Sequence, residues 1–100
     1  MDENMTFNIE TVGVIGAGQM GAGIAEVAAQ AGLTVFLNDV AEERVNGALA
    51  TINGHLSRQV SKGQIDEAER RAILDRIRVA STLDKLGECD LVVEAATMAS

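Results

Sequence analysis

The chain has no proline, no tryptophan and no tyrosine, and its two phenylalanines are Phe7 and Phe36. A core built from it must be aliphatic. Its one cysteine, Cys89, excludes an internal disulfide and gives no sign of an oxidising compartment. No second cysteine or metal-ligand cluster accompanies Cys89. It reads as a reduced, partly buried residue at the entry to a strand, and no metal site is expected. Basic residues are scarce too: eight against fifteen acids, a net charge of −7. That argues against nucleic acid as a main partner, because binding a phosphate backbone needs a basic face. No apolar run approaches the roughly 20 residues of a membrane span, so no membrane partner is expected. The opening Met1-Asp2-Glu3-Asn4 is acidic, unlike a secretory or mitochondrial targeting segment, and points to the cytoplasm. What remains is 100 residues, 47% hydrophobic and 23% charged, enough for one globular domain and no more. No repeat, linker or low-complexity segment interrupts it.

Residues 1–10 read as a polar lead-in. Thr11 to Ile15 (TVGVI) is a short β-branched run, followed at once by a glycine loop, which predicts a buried parallel strand. Gln19 to Ala31 is Ala-rich, with Met20, Ile24, Val27, Ala28 and Ala31 at helical spacing, and Gly32 supplies a stop. Thr34 to Asn38 (TVFLN) predicts a second strand. Strand, loop, helix and strand fit into 28 residues, a minimal βαβ unit with a right-handed crossover. A long helix follows. Asp39 can cap it, Glu42 and Glu43 suit its first turn, and Val45, Leu49, Ile52, Leu56 and Val60 form one apolar stripe ending near Gly63. Asp66 and Glu69 have capping-box spacing for another helix, running to about Arg76. Ile77 to Ser81 (IRVAS) predicts a third strand and Thr82 to Gly87 a turn or one helical turn. Leu91 to Ala96 (LVVEAA) predicts a fourth strand, apolar enough to be buried on both faces. The fold class is α/β: a Rossmann-like, doubly wound parallel sheet of order 3-2-1-4, incomplete, with a helical pair between strands 2 and 3.

Gly16-Ala17-Gly18-Gln19-Met20-Gly21 matches G-x-G-x-x-G. Gly16 permits the tight turn off the strand, Gly18 lets backbone approach a pyrophosphate, and Gly21 lets helix and strand pack closely. The helix N-terminus then offers free N–H groups and the positive end of a dipole. Asp39 lies 21 residues after Gly18, at the end of the next strand, close to the spacing of a ribose-binding acid. Its charge would repel a 2′-phosphate, so the motif points to NAD rather than NADP. The plainer alternative makes the loop an ordinary tight turn and Asp39 a helix cap. No G-K-[ST] follows, which disfavours a triphosphate loop.

VGVIGAGQMGAGIA, LNDV, VSKGQIDE and CDLVVEAAT together resemble the bacterial 3-hydroxyacyl-CoA dehydrogenase family, of the short-chain 3-hydroxybutyryl-CoA type, over residues 11–97. The resemblance implies that Gly16 to Gly21 cradle the NAD pyrophosphate and that Asp39 holds the adenosine ribose. It implies that Lys62, just before the glycine ending the first excursion helix, contacts the CoA portion of the substrate. Seven residues earlier the family often has serine or asparagine; this sequence has His55. By helical geometry His55, Arg58 and Lys62 share one face, away from the apolar stripe. That face is either a basic ridge suited to an anionic CoA or a solvated helix surface.

In the family a histidine oriented by a glutamate works as general acid/base, assisted by serine and asparagine, on hydride transfer between NAD and the 3-position of an acyl-CoA. All of these lie beyond the fourth strand, so no catalytic residue is expected among residues 1–100, and His55 does not fill that role. The resemblance breaks off after Thr97. Met98 stands where the family has an acid that contacts NAD, followed by Ala99 and Ser100. The expectation is the N-terminal part of a dinucleotide-binding domain (residues 11–100), without the helical C-terminal domain that carries dimerisation and inactive on its own. The intact protein would be a homodimer. In the short chain strand 91–96 would be an exposed apolar edge prone to self-association. Glu94 reads as structural. Two other readings stand beside this one: an NAD-linked hydroxy-acid or sugar-acid dehydrogenase on the same scaffold, or a non-catalytic NAD-binding module.

Overall fold

The computed structural model describes residues 9–95. Expectations for residues 1–8 and 96–100, including the acidic start, the end of the fourth strand at Ala96 and the Met98 position, lie outside the described residues. The elements run β1 (Thr11–Ile15), α1 (Gln19–Gln30), β2 (Thr34–Asn38), α2 (Glu42–Ser61), α3 (Glu67–Arg76), β3 (Ile77–Val79), a 3-10 turn at Lys85–Glu88, and β4 (Leu91–Glu94). The four strands form one parallel sheet in the order β3-β2-β1-β4, as the sequence predicts.

β1 is central because it is the strand that can be buried on both sides. Its Val14 pairs with Leu37 of β2 and with Val93 of β4. Val14, Val35 and Leu37 are completely buried, under Ala22, Ala25 and Ala29 of α1 and Val45, Ala48, Ile52 and Leu56 of α2. The small side chains on the inner face of α1 bring that helix close to the sheet. The larger ones on α2 fill the remaining space, each buried aliphatic side chain worth about 1.5–3 kcal/mol relative to exposure. α3 begins with the capping box the sequence predicts: Asp66 Oδ1 accepts from the Glu69 N–H at 2.8 Å, and Glu69 Oε1 accepts from the Asp66 N–H at 3.3 Å.

Four details differ from the sequence reading. The α1 residues at helical spacing are not its buried face: Val27 is 68% exposed and Met20 49%, while the neighbouring stripe Gly21, Ala22, Ala25 and Ala29 packs inward. Both stripes have period 3.6, and close packing on a flat sheet selects the smaller side chains. β3 ends at Val79, so Ser81 is outside it, although the Ala80 N–H still donates to the Leu37 carbonyl at 2.9 Å. β4, Leu91–Glu94 among the described residues, is not buried on both faces. Leu91 is 45% and Val92 41% exposed, because β4 is an edge strand among the described residues. Asp39 does not cap α2: the N-cap is Ala41, without a side-chain cap bond, and the Asp39 carboxylate turns toward the glycine loop.

Two glycines are structurally required at the start of α1. Gly16 has φ 104°, a left-handed conformation that disfavours any side chain, and its N–H donates to the Asn38 carbonyl at 2.7 Å. A Cβ on Gly21 would lie 1.7 Å from the Gly16 carbonyl oxygen, which is impossible without moving loop or helix. Gly23, two residues on, would meet nothing within 4 Å. Gly21→Ala should therefore destabilise the domain by about 3 kcal/mol or more, while Gly23→Ala should gain up to about 1 kcal/mol from helix propensity. Thermal unfolding of the two variants checks this. Equal melting shifts would contradict the close approach of α1 to the loop.

Candidate functional site

The glycine loop leaves β1 and feeds directly into α1, whose N-cap is Gly18. Space above Gly18 is open, since a Cβ there would meet nothing within 4 Å. α1 has no side-chain cap and no acid in its first turn, whereas α2 opens with Glu42 and Glu43 and α3 with its capping box. Its first N–H groups and positive dipole end thus meet no carboxylate from the helix itself. That is the electrostatic condition for receiving an anion.

Asp39 follows β2 and lies beside this loop. Its side chain is 4% exposed. Oδ2 accepts from the Ala17 N–H at 2.7 Å, and Oδ1 accepts from the Ala41 N–H at 2.9 Å. Arg44 Nη1 lies 3.9 Å from Oδ1. These contacts, the Ala17 hydrogen bond foremost, hold the carboxyl below the usual aspartate range despite its burial. An ionised carboxylate offers about four lone-pair directions, and two are used by backbone here. Two are left for hydroxyl donors. Neighbouring Asn38 is buried, and its Nδ2 donates to the Ala80 carbonyl at 2.6 Å. That bond fixes the end of β2 against the segment after β3.

Two clefts meet at the loop. One, of about 190 Å³, is bounded by Gly16, Gly18, Gly21, Asp39, Arg44 and Ala95. The other, of about 500 Å³, runs between α1 and α2 from Gly18 to Glu26 and His55. His55 Nδ1 lies 2.9 Å from Glu26 Oε1, so His55 ties α2 to α1 rather than standing free in solvent. Lys62 is the exposed C-cap residue of α2, two helical turns beyond His55 and outside both clefts. The structure therefore brings Gly16 to Gly21 together with Asp39, reaches His55 along the second cleft, and does not bring Lys62 to either cleft. Three residues that sequence reasoning missed matter here: Arg44, Asn38 and Glu26. A cation in the first turn of α2, where the helix dipole opposes it, was the available signal for Arg44. The other two depend on packing between elements and leave no local trace.

Cys89 is free and half-buried just before β4, and burial pushes its thiol up. Among the described residues no group of three metal-ligating side chains converges, and no helix is long and apolar enough to cross a membrane.

A glycine loop locked to an acid on the adjacent parallel strand, at the N-terminus of an uncapped helix, defines a Rossmann-like dinucleotide-binding domain. The family model for the 3-hydroxyacyl-CoA dehydrogenase NAD-binding domain matches residues 11–98. The chain belongs to that family, and its cofactor is NAD. It is 57% identical over 88 residues to a 3-hydroxybutyryl-CoA dehydrogenase of Bradyrhizobium diazoefficiens, covering 88% of this chain and 30% of the relative. It is 40% identical over 93 residues to a 3-hydroxyadipyl-CoA dehydrogenase of Escherichia coli, covering 93% of this chain and 20% of that protein. The crystal structure of (S)-3-hydroxybutyryl-CoA dehydrogenase from Ralstonia eutropha superposes with a TM-score of 0.84 at 39% identity, over 88% of this chain and 31% of that one. The chain thus spans about a third or less of the length of these relatives.

Asp39 also sets a pH dependence. Its carboxyl is lowered in the fold, so the stability it contributes is fully present above the ordinary value of 3.8 and is lost as pH falls through the folded value. Asp39→Ala should cost about 2 kcal/mol at neutral pH, through two N–H groups left without their acceptor. The gap in melting temperature between it and the unsubstituted chain should narrow below about pH 4. A gap that stays constant down to pH 2 would show that the charged form gains nothing from these contacts.

Proposed function

We propose that Gly16, Ala17, Gly18, Gln19, Met20 and Gly21 cradle the pyrophosphate of NAD and that Asp39 accepts hydrogen bonds from the adenosine ribose. The observation that carries this reading is the 2.7 Å hydrogen bond from the Ala17 N–H to Asp39 Oδ2. It joins Asp39 and the glycine loop in one unit, which supports the two acting together on one dinucleotide. The remaining lone pairs of Asp39 suit the two ribose hydroxyls, and its negative charge disfavours a 2′-phosphate.

The domain is then the cofactor half of an oxidoreductase that interconverts 3-hydroxyacyl-CoA and 3-oxoacyl-CoA by hydride transfer, working in the cytoplasm. The names of the relatives support an acyl-CoA substrate. His55 and Lys62 are the proposed CoA contacts, seven residues apart along α2 and its C-cap. His55 is the sequence's one histidine and is paired with Glu26 between two helices. It is not the acid/base of the hydride transfer, and residues 1–100 by themselves are proposed to be inactive. A homodimer is the proposed state of a relative-length chain.

Calorimetric titration of the 100-residue chain should show saturable NAD binding, at least tenfold weaker NADP binding, and loss of NAD binding in Asp39→Ala. Equal affinity for the two nucleotides would sink the Asp39 assignment. In the same preparation, NADH oxidation with acetoacetyl-CoA should stay at background; turnover would refute the proposed inactivity. Among the described residues no strand pairs with the outer edge of β4, beside exposed Leu91 and Val92, which supports self-association of this chain through residues 91–96. Light scattering should show concentration-dependent dimers, and a monodisperse monomer at millimolar concentration would rule them out.

A further inference from the structure

We propose that Arg44 supplies the cationic contact to the cofactor pyrophosphate, an inference that rests on the NAD site assigned above. The two clefts that meet at the glycine loop share few residues, and Arg44 is one of them. Among the described residues no other lysine or arginine lines either cleft. Both clefts also carry acids, Asp39 in one and Glu26 in the other, within a chain of net charge −7. A doubly charged pyrophosphate entering this field meets the N–H groups of α1 and, apart from Arg44, repulsion.

Structural duty alone does not account for this arginine. It sits in the first turn of α2, the helix end where the dipole disfavours a positive charge. Its one ion-pair contact is long, 3.9 Å to Asp39 Oδ1, with the Arg44 side chain 65% exposed, a geometry of little stabilising value. The other arginines with described side-chain partners are placed differently. Arg70 and Arg71 bind Glu67 on their own helix, and Arg76 donates to the Ala29 carbonyl. Arg44 is held loosely at the lip of the loop with most of its donors uncommitted. A guanidinium presents five N–H donors in a planar fork, and Asp39 at 3.9 Å occupies none at hydrogen-bond distance. The fork is therefore free to take phosphate oxygens, the ligand geometry it fits. Asp39, with none of its lone pairs taken by Arg44 at hydrogen-bond distance, keeps the remaining ones for the ribose.

The test separates phosphate from base. Arg44→Ala and Arg44→Lys are titrated with NAD and ADP by calorimetry, and with adenosine by NMR, at low and at about 0.5 M salt. Arg44→Ala should weaken NAD and ADP about tenfold at low salt, leave adenosine within twofold, and lose most of its effect at high salt. Arg44→Lys, which keeps the charge but loses the fork, should fall between Arg44→Ala and the unsubstituted chain, about threefold weaker than the latter. If Arg44→Ala binds NAD and ADP as the unsubstituted chain does, the proposal is wrong while the site stands. It is equally wrong if adenosine weakens as much as ADP, because Arg44 would then act on the base or through Asp39. If the unsubstituted chain binds neither NAD nor ADP, the site assignment itself fails and this proposal with it.

Discussion

The hydrogen bond between the Ala17 N–H and the Asp39 carboxylate is the constraint on which the site depends. It joins two segments that leave the sheet separately: the loop after β1 and the residue after β2. At their bases the Gly16 N–H donates to the Asn38 carbonyl and the Asn38 side chain to the Ala80 carbonyl. Because Asp39 is buried and ionised, it must be paid in hydrogen bonds, and the backbone N–H groups of Ala17 and Ala41 provide them. A charge-assisted bond to backbone is among the stronger kinds available to a small domain. The loop is thus shaped before any ligand arrives, and a preorganised cradle costs less to occupy than a flexible one.

The sheet serves this arrangement from both ends of β1. At the C-terminal end lie the loop and Asp39. At the other end Asp90 Oδ2 accepts from the N–H groups of Glu10 and Thr11, at 2.8 and 3.1 Å, which holds its carboxyl below the usual range. Parallel strands cannot set their register with a tight hairpin. Here register is pinned by carboxylates that reach across from neighbouring segments. Gly13, in the middle of β1, lets Leu86 of the 3-10 turn sit against the sheet, where a Cβ would lie 2.7 Å from its Cδ2. The strand is central because its sequence carries valines on one face and no side chain at the point where the other face is crowded.

Much of this was legible in the sequence, for a physical reason. The bounds of β1, β2 and α3 follow from local rules (β-branched runs, a capping box, a glycine at a forced turn), and the strand order from the winding of a doubly wound sheet. Gly16, Gly21 and Asp39 could be read because the motif encodes backbone geometry, and backbone geometry is short-range. The inner face of α1 could not be read, because two stripes of the same period compete and only the sheet decides between them. The exposure of β4 was misjudged because apolarity reports what a strand can bury, not what covers it. Arg44, Asn38 and Glu26 were invisible because their partners lie on other elements. The spacing marks Asp39 as an acid of consequence; of its two sequence readings only the helix cap fails, because the nearer loop has the stronger demand for an acceptor.

The sheet order has a consequence for how the chain assembles. β1 meets β2 across a short βα crossover, so that half of the sheet closes by bringing together residues about two dozen positions apart, Thr11 with Thr34 and Ile15 with Asn38. Its other neighbour arrives from the far end of the chain: the Asp90 contact to Thr11 spans 79 residues. Loop closure over that distance carries a larger entropy cost than the local pairing, and the cost is met only when α2, α3 and β3 are already packed. The β1-α1-β2 unit is therefore the natural first-formed substructure, and it contains the glycine loop and Asp39 complete. β4 joins last and, as an edge strand, leaves first. Amide protons of β4 should exchange through openings that leave those of β2 protected, which makes the nucleotide cradle the kinetic as well as the spatial centre of the domain.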